Sequence, residues 1–218
     1  MDMARSRVLL TGFGPFPGVA ENPSGWLAEA LAAQGSTDCD IHKHVLPTEW
    51  DTVAALTPRL HETVQPRLMI HFGVSPAAKG LRIERSAHNR AGPRADARGA
   101  LPATPAISPQ GATRLDTALP VTALAAHLRS QGHAAAASRS CGRYLCNFLY
   151  YRSLEWARAN GGDALFVHVP LTRAQGGAYS QDALLHAAHE TLRFVLDFTA
   201  QQARPAPGPA PHIEGARG

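Results

Sequence analysis

The chain is poor in cysteine and nearly devoid of lysine. Its three cysteines, Cys39, Cys141 and Cys146, are an odd and sparse set, with neither a CxxC pair nor a Cys/His cluster at zinc-finger spacing. That excludes a disulfide framework and a structural zinc scaffold. Cys141 and Cys146 could in principle bridge, but free thiols in a reducing compartment are the simpler reading. Lys43 and Lys79 are the only lysines, so the formal charge of +4 rests on arginine. The excess is scattered, with one modest cluster from Arg82 to Arg98. No basic helix or aromatic stacking platform accompanies it, which argues against nucleic-acid binding and leaves a solvated face or an anionic substrate group. No apolar run approaches the length of a membrane span. The start "MDMARSRVLLTGFGPF" sets an arginine pair before an apolar stretch too short for a signal peptide. A cytoplasmic enzyme or binding protein is therefore expected. "TGFGPFPG" lacks both the GxGxxG spacing and the phosphate-loop lysine, so nucleotide binding is not expected. His42 and His44 share a strand face but lack a third ligand, so no metal site is expected.

What is present is ordinary globular material, 44% hydrophobic and 17% charged over 218 residues. A chain of this length buries about 70% of its unfolded surface in one core. Residues 1–200 read as a single domain, and 201–218, a Pro/Ala/Gly-rich tail, as disordered. Strands are predicted at "RVLLTGFG", "CDIHKHVLPT", "RLMIHFGV" and "DALFVHVPL", with a weak one at "HAAAASRS" and a short strand or hairpin at "GLRIERSAHN". Helices are predicted at "AENPSGWLAEALAAQG", capped by Asn22 or Ser24 with Pro23 in its first turn, and at "EWDTVAALTPRLHETV" despite Pro58. Three more follow at "VTALAAHLRSQG", "GRYLCNFLYYRSLEWARANG" and "SQDALLHAAHETLRFVLDFTAQQ". This alternation predicts an α/β fold, a three-layer α/β/α sandwich on a mostly parallel twisted sheet. From Arg90 to Pro120 no period holds, so a surface excursion over a functional face, with a hairpin in it, is expected.

Ligands of open α/β sheets gather beyond the carboxyl ends of strands. Gly12 to Phe16 follow the first strand, the Glu84 segment follows the strand ending at Val74, Cys146 lies early in a helix, and His168 sits near a strand end. Four stretches can thus converge on one rim. Each has a plainer reading. Cys146, between Leu145 and Phe148, fits a packed core thiol, yet in the first turn of a helix it would meet unpaired N–H groups that favour a thiolate and can hold an oxyanion. Gly142 suits the sharp turn before such a helix. His168 is either a core histidine or the base that takes the thiol proton. Glu84 either pairs with Arg82 or Arg85 on the surface or orients the imidazole. Phe13 and Phe16 either plug the core or sandwich a small flat group.

"LLTGFGPFPGVAENPSGW", "VSPAAKGLRIERSAHN", "CGRYLCNFLYY" and "FVHVP", in this order, resemble the pyroglutamyl-peptidase I family of cysteine peptidases. The resemblance covers most of residues 7 to 200. It implies Cys146 as nucleophile, His168 as base, Glu84 as its orienting acid, and Phe13, Phe16 and Val74 in the pocket for a lactam ring. It further implies an oxyanion hole from the backbone of Gly142 and Cys146, no cofactor, and peptides with an N-terminal pyroglutamate as partners, in a monomer or a homo-oligomer. "GVS" at Gly73 to Ser75, with His88 and Asn89, is similar to the animal-type branch. The family's Asp-Asn pair stands here as Asp96 and Ala97, a departure near the pocket that bears on rate or substrate preference. Two other functions are compatible with the residues: a noncatalytic binder of pyroglutamyl peptides, and a thiol amidase for another small acyl group.

Overall fold

The computed structural model describes residues 5–202. Its chain order is β1 (Ser6–Phe13), α1 (Pro23–Ala33), β2 (Cys39–Leu46), α2 (Trp50–Val64), β3 (Leu68–Val74), β4 (Leu81–Glu84), β5 (Ser86–His88) and β6 (Arg114–Asp116). There follow α3 (Val121–Ser130), β7 (Ala135–Ser138), α4 (Leu145–Asn160), β8 (Asp163–Val169), a 3-10 turn at Arg173–Gln175, and α5 (Gln181–Gln202). Six strands form one sheet in the order β2-β1-β3-β8-β4-β7. Neighbours are parallel except β4 and β8, which run antiparallel. The expected α/β/α sandwich is present, on a sheet that is mostly parallel.

Local chemistry explains most element boundaries. The Asn22 side chain caps α1 by accepting from the Ser24 N–H at 3.1 Å, and Pro23 occupies the first turn, where a missing N–H costs nothing. α2 continues through Pro58 because Trp50, Val53, Thr57, His61 and Val64 form one buried stripe at three- and four-residue spacing. That packing offsets an internal proline's cost, about 3 kcal/mol. β1, β3 and β8 are buried along nearly their whole length, as near-continuous apolar runs require when helices cover both faces.

Side chains alternate between the two faces. One face carries Val8, Leu10, Ile70, Phe72, Leu165 and Val167 against α1, α3 and α5. The other carries Leu9, Phe13, Met69, Ala164 and Phe166 against α2 and α4. The site lies on this second face.

Four readings of the sequence are refined. "GLRIERSAHN" is neither one strand nor a hairpin: β4 joins the main sheet, the chain breaks at Arg85, and β5 pairs antiparallel with β6 in a separate two-stranded sheet. The hairpin expected inside 90–120 therefore has one strand inside that range and one before it. The helix expected from Gly142 begins at Leu145. α5 runs through Gln202, so residues 201 and 202 belong to it; the predicted tail from Ala203 lies outside the described residues. Among the described residues, no helix is long and apolar enough to cross a membrane.

Candidate active site

Strand register sets the site. Gly73 of β3 pairs with His168 of β8, and Arg82 of β4 also pairs with His168. Glu84 pairs with Phe166, one row along. Paired residues share a face, as do residues two apart in a strand, so Gly73, His168, Arg82, Glu84 and Phe166 all stand on the side covered by α4.

α4 descends onto this face from its amino end. Gly142, with φ +83°, takes the left-handed conformation that turns the chain out of the β7 loop. Tyr144 precedes the helix in extended conformation and gives it no side-chain cap. Cys146 is the second helical residue, in the turn where N–H groups lack intrahelical acceptors. Its sulfur lies against the backbone of Gly73: a Cβ built there would stand 3.0 Å from Sγ and 2.7 Å from the Phe166 ring. The absent side chain at residue 73 is what lets helix and strand bring sulfur and imidazole together.

His168 Nδ1 and Glu84 Oε1 are 2.8 Å apart. The Glu84 side chain is wholly buried, and the His168 side chain is 12% exposed. Burial by itself lowers the imidazole pKa, but interaction with the Cys146 sulfur and the Glu84 carboxylate outweighs it and raises the value to about 9. Arg82 Nε stands 3.6 Å from Glu84 Oε1, so the arginine expected as a surface partner is present beside a carboxylate that is not on the surface. Glu84 Oε2 is buried without a hydrogen-bond partner, which leaves imidazole and guanidinium to balance the charge.

Of the cysteines, Cys39 and Cys141 are buried and Cys146 is part-exposed; all three are free. Burial, with the nearby Cys146 and Glu84, pushes the Cys141 thiol well up. Phe13 is buried in the α2/α4 apolar cluster, while Phe16 and Val74 are part-exposed at the ends of the β1 loop and β3. The Gly142 N–H donates to Ser140 Oγ at 3.2 Å.

The sequence reading missed Asn147, and it named Asp96 and Ala97 without their contacts. Asn147, buried next to Cys146, accepts from the His88 N–H at 2.8 Å and donates to the carbonyls of His88 (2.8 Å) and Arg90 (3.1 Å). A lone amide in "YLCNFLYY" was the available signal, since buried polar side chains need partners. Asp96 accepts from the Trp50 N–H at 2.9 Å and thereby caps α2, and it also holds the amides of Arg98 and Ala100. Trp50 in turn meets Tyr144 edge-on at 5.3 Å between centroids, and the Arg94 guanidinium lies 4.7 Å over the Tyr144 ring. Ala97 gives its N–H to the Thr48 carbonyl and is otherwise exposed.

A profile of the pyroglutamyl peptidase family matches residues 6–181. Human pyroglutamyl-peptidase 1 is 32% identical over 204 residues, covering 92% of this chain and 95% of its own. The pyrrolidone-carboxylate peptidase of Thermococcus litoralis is 31% identical over 172 residues, 78% of each chain. The solved pyrrolidone carboxyl peptidase from Thermococcus litoralis superposes with a TM-score of 0.85 at 26% identity, covering 93% of this chain and 99% of that one. A match of this extent, in sequence and in fold, places the chain in the pyroglutamyl peptidase family.

Proposed function

We propose that this protein is a cysteine omega-peptidase that removes an N-terminal pyroglutamyl residue from peptides, with Cys146, His168 and Glu84 as its catalytic set. One observation carries the assignment of roles: a part-exposed thiol at a helix start and a buried carboxylate act on the same imidazole. An imidazolium stabilised to about pH 9 stands ready as the acid that an amine leaving group needs.

The Cys146 sulfur, its proton passed to His168, attacks the carbonyl that joins pyroglutamate to the next residue; a C–S bond forms as the carbonyl π pair moves onto oxygen. The oxyanion is held by the Cys146 N–H, and by that of Gly142 once it exchanges its half-buried Ser140 partner for the substrate. His168 protonates the departing amine as the C–N bond breaks, leaving a thioester. Water, deprotonated by His168, then cleaves the thioester and releases free pyroglutamate and the thiol. Glu84 holds the ring in register throughout and stabilises its charge. Phe13 supplies a fixed apolar wall, and Phe16 and Val74 form the accessible side of the lactam pocket. A terminal glutamine or proline would lack the fit or leave a buried polar group unpaired, a strong source of rejection.

The test is release of aminomethylcoumarin from its pyroglutamyl, prolyl and glutaminyl derivatives. Turnover of the first alone is expected, with Cys146→Ser folded and inactive and iodoacetamide labelling residue 146 before the buried thiols. Turnover of a control, or full activity in Cys146→Ser, overturns the reading.

A further inference from the structure

His88, Asn89, Arg90, Thr113, Ser140 and Arg143 line an open cavity of about 400 Å³ beside the start of α4. Two of the six are arginines and none is acidic. Its walls are the 86–92 segment and the 139–143 loop, which are tied to each other. The Ser86 hydroxyl donates to the Arg139 carbonyl at 2.5 Å, and the Gly92 N–H donates to that of Arg143 at 2.6 Å. Asn147 fastens the His88–Arg90 backbone to the same helical turn that carries Cys146. The cavity is therefore built into the frame that holds the sulfur.

The neighbouring carboxylates are already engaged. Asp116 is paired with Arg114 at 2.5 Å, Asp96 holds three backbone amides, and Glu84 holds His168. Among the described residues, Arg90 and Arg143 take part in no ion pair, and both are exposed. Among the described residues, no carboxylate pairs with either guanidinium.

Position gives the cavity a place in the reaction. In sheet order, Phe13 and Val74 end β1 and β3, His168 belongs to β8, and Ser140 and Arg143 follow β7 at the far edge. An acyl group seated by β1 and β3 directs the rest of the peptide past the sulfur toward the β7 side. We infer that this cavity receives the leaving part of the substrate and selects for a carboxylate there, through Arg90 and Arg143. This rests on the proposed peptidase reading. Two sources share that chemistry: an acidic side chain directly after pyroglutamate, and the terminal carboxylate of a short peptide.

The experiment compares kcat/KM for two matched pairs. Pyroglutamyl-alanyl-alanine against its C-terminal amide tests the terminal carboxylate; pyroglutamyl-glutamyl-alaninamide against pyroglutamyl-glutaminyl-alaninamide tests the side chain. At least one acidic member is expected to be favoured by about threefold to tenfold at low salt, mainly through KM, as befits exposed ion pairs. The preference should shrink as salt rises toward about 0.5 M, and Arg90→Glu/Arg143→Glu should reverse it. The pair that responds identifies the source. Equal kcat/KM within both pairs, or an equal loss for charged and neutral members in the double variant, overturns the inference. Equilibrium binding of the same peptides to Cys146→Ser decides the matter independently of turnover: a carboxylate preference there sustains the cavity's role even if the wild-type protein cleaves nothing, a result that would sink the peptidase reading instead.

Discussion

At the scale of single residues, the decisive fact about Glu84 is its burial. In the sequence it stands between two arginines, where a surface ion pair is the ordinary outcome. In the fold it is wholly buried, with one oxygen 2.8 Å from His168 Nδ1 and the other unpartnered. Replacing it by glutamine keeps the volume and removes the charge. Glu84→Gln is expected to lower kcat by about 10²-fold or more, by analogy with loss of the acid from other triads, with a small change in KM. The pH profile supplies a more specific signature. The His168 imidazolium persists to about pH 9, so kcat/KM should fall as pH rises through that value. In Glu84→Gln the basic limb should move down toward the ordinary histidine range. A variant of unchanged basic limb would show that the carboxylate does not act on the ring.

Other residues were readable as types but not as roles. Cys146, His168 and Glu84 each had a plainer alternative, because a thiol in an apolar helix, an imidazole in an apolar strand and a glutamate among arginines are all common. The order of four motifs identified them where composition did not. Asn147 passed unremarked and Gly73 was noted only as part of a motif, since their importance lies in what they touch: a backbone from another strand and a sulfur from another element.

At the scale of elements, the approach of α4 to β3 and β8 sets the distance between sulfur and imidazole. Gly73→Ala tests that approach. Its added Cβ would meet the Phe166 ring at 2.7 and 2.9 Å and the Cys146 sulfur at 3.0 Å. Overpacking of this kind costs about 1–3 kcal/mol. For a chain of this size that amounts to a fall in Tm on the order of 2–10 °C. Activity should suffer more than stability: a kcat/KM loss of at least about tenfold is expected from displacing the reacting atom. Calorimetry and kinetics on the same preparation check both, and an active variant with wild-type kinetics would mean that the sulfur has room to spare.

The same scale shows how far periodicity reaches. β1, α1, α2, β3, α4, β8 and α5 were all visible as apolar patterns with caps and glycines at their ends. The weak alanine-rich strand is β7, an edge strand with little to bury, which is why its pattern was faint. The break at Arg85, which separates β4 from β5, had no local signal. It exists because β4 finds its partners in β7 and β8, whereas β5 finds its own in β6 and α4.

At the scale of the whole molecule, buried histidines of opposite tendency give stability a maximum in pH. His71 bonds Thr11 Oγ1 at 2.8 Å and Ser153 Oγ at 2.9 Å, and His61 reaches the same Ser153 hydroxyl at 3.1 Å. Burial, with Arg152 beside His61 and His61 beside His71, lowers their pKa values to about 4 and about 3. Both are below the unfolded value, so the unfolded chain binds more protons in that window. Their neutral forms favour the fold fully above about pH 6.5, and that advantage is lost as pH falls toward 4 and 3. His168 works the other way. Its folded pKa, about 9, lies above the unfolded value, so its contribution is complete below about pH 6.5 and is lost as pH rises through 9. Denaturant unfolding across pH 4 to 9.5 should therefore show greatest stability near about pH 6.5, with losses on the order of a few kcal/mol on the acid side. Ser153→Ala, which strands both ring nitrogens, should lower the whole curve. A flat profile would place these imidazoles in contact with water.

By itself the sequence determined the kinds of elements, their order, the α/β class and the types of reactive group, because periodicity, capping and motif order are properties of neighbouring residues. Only the tertiary structure decided that β4 runs against β8, that this register sets Glu84 and Arg82 beside His168, and that a glycine in β3 admits the sulfur of α4. The physical reason is that strand pairing and helix approach are set by burial shared between distant segments. A carboxylate's partner across the sheet leaves no mark on the residues beside it in the chain.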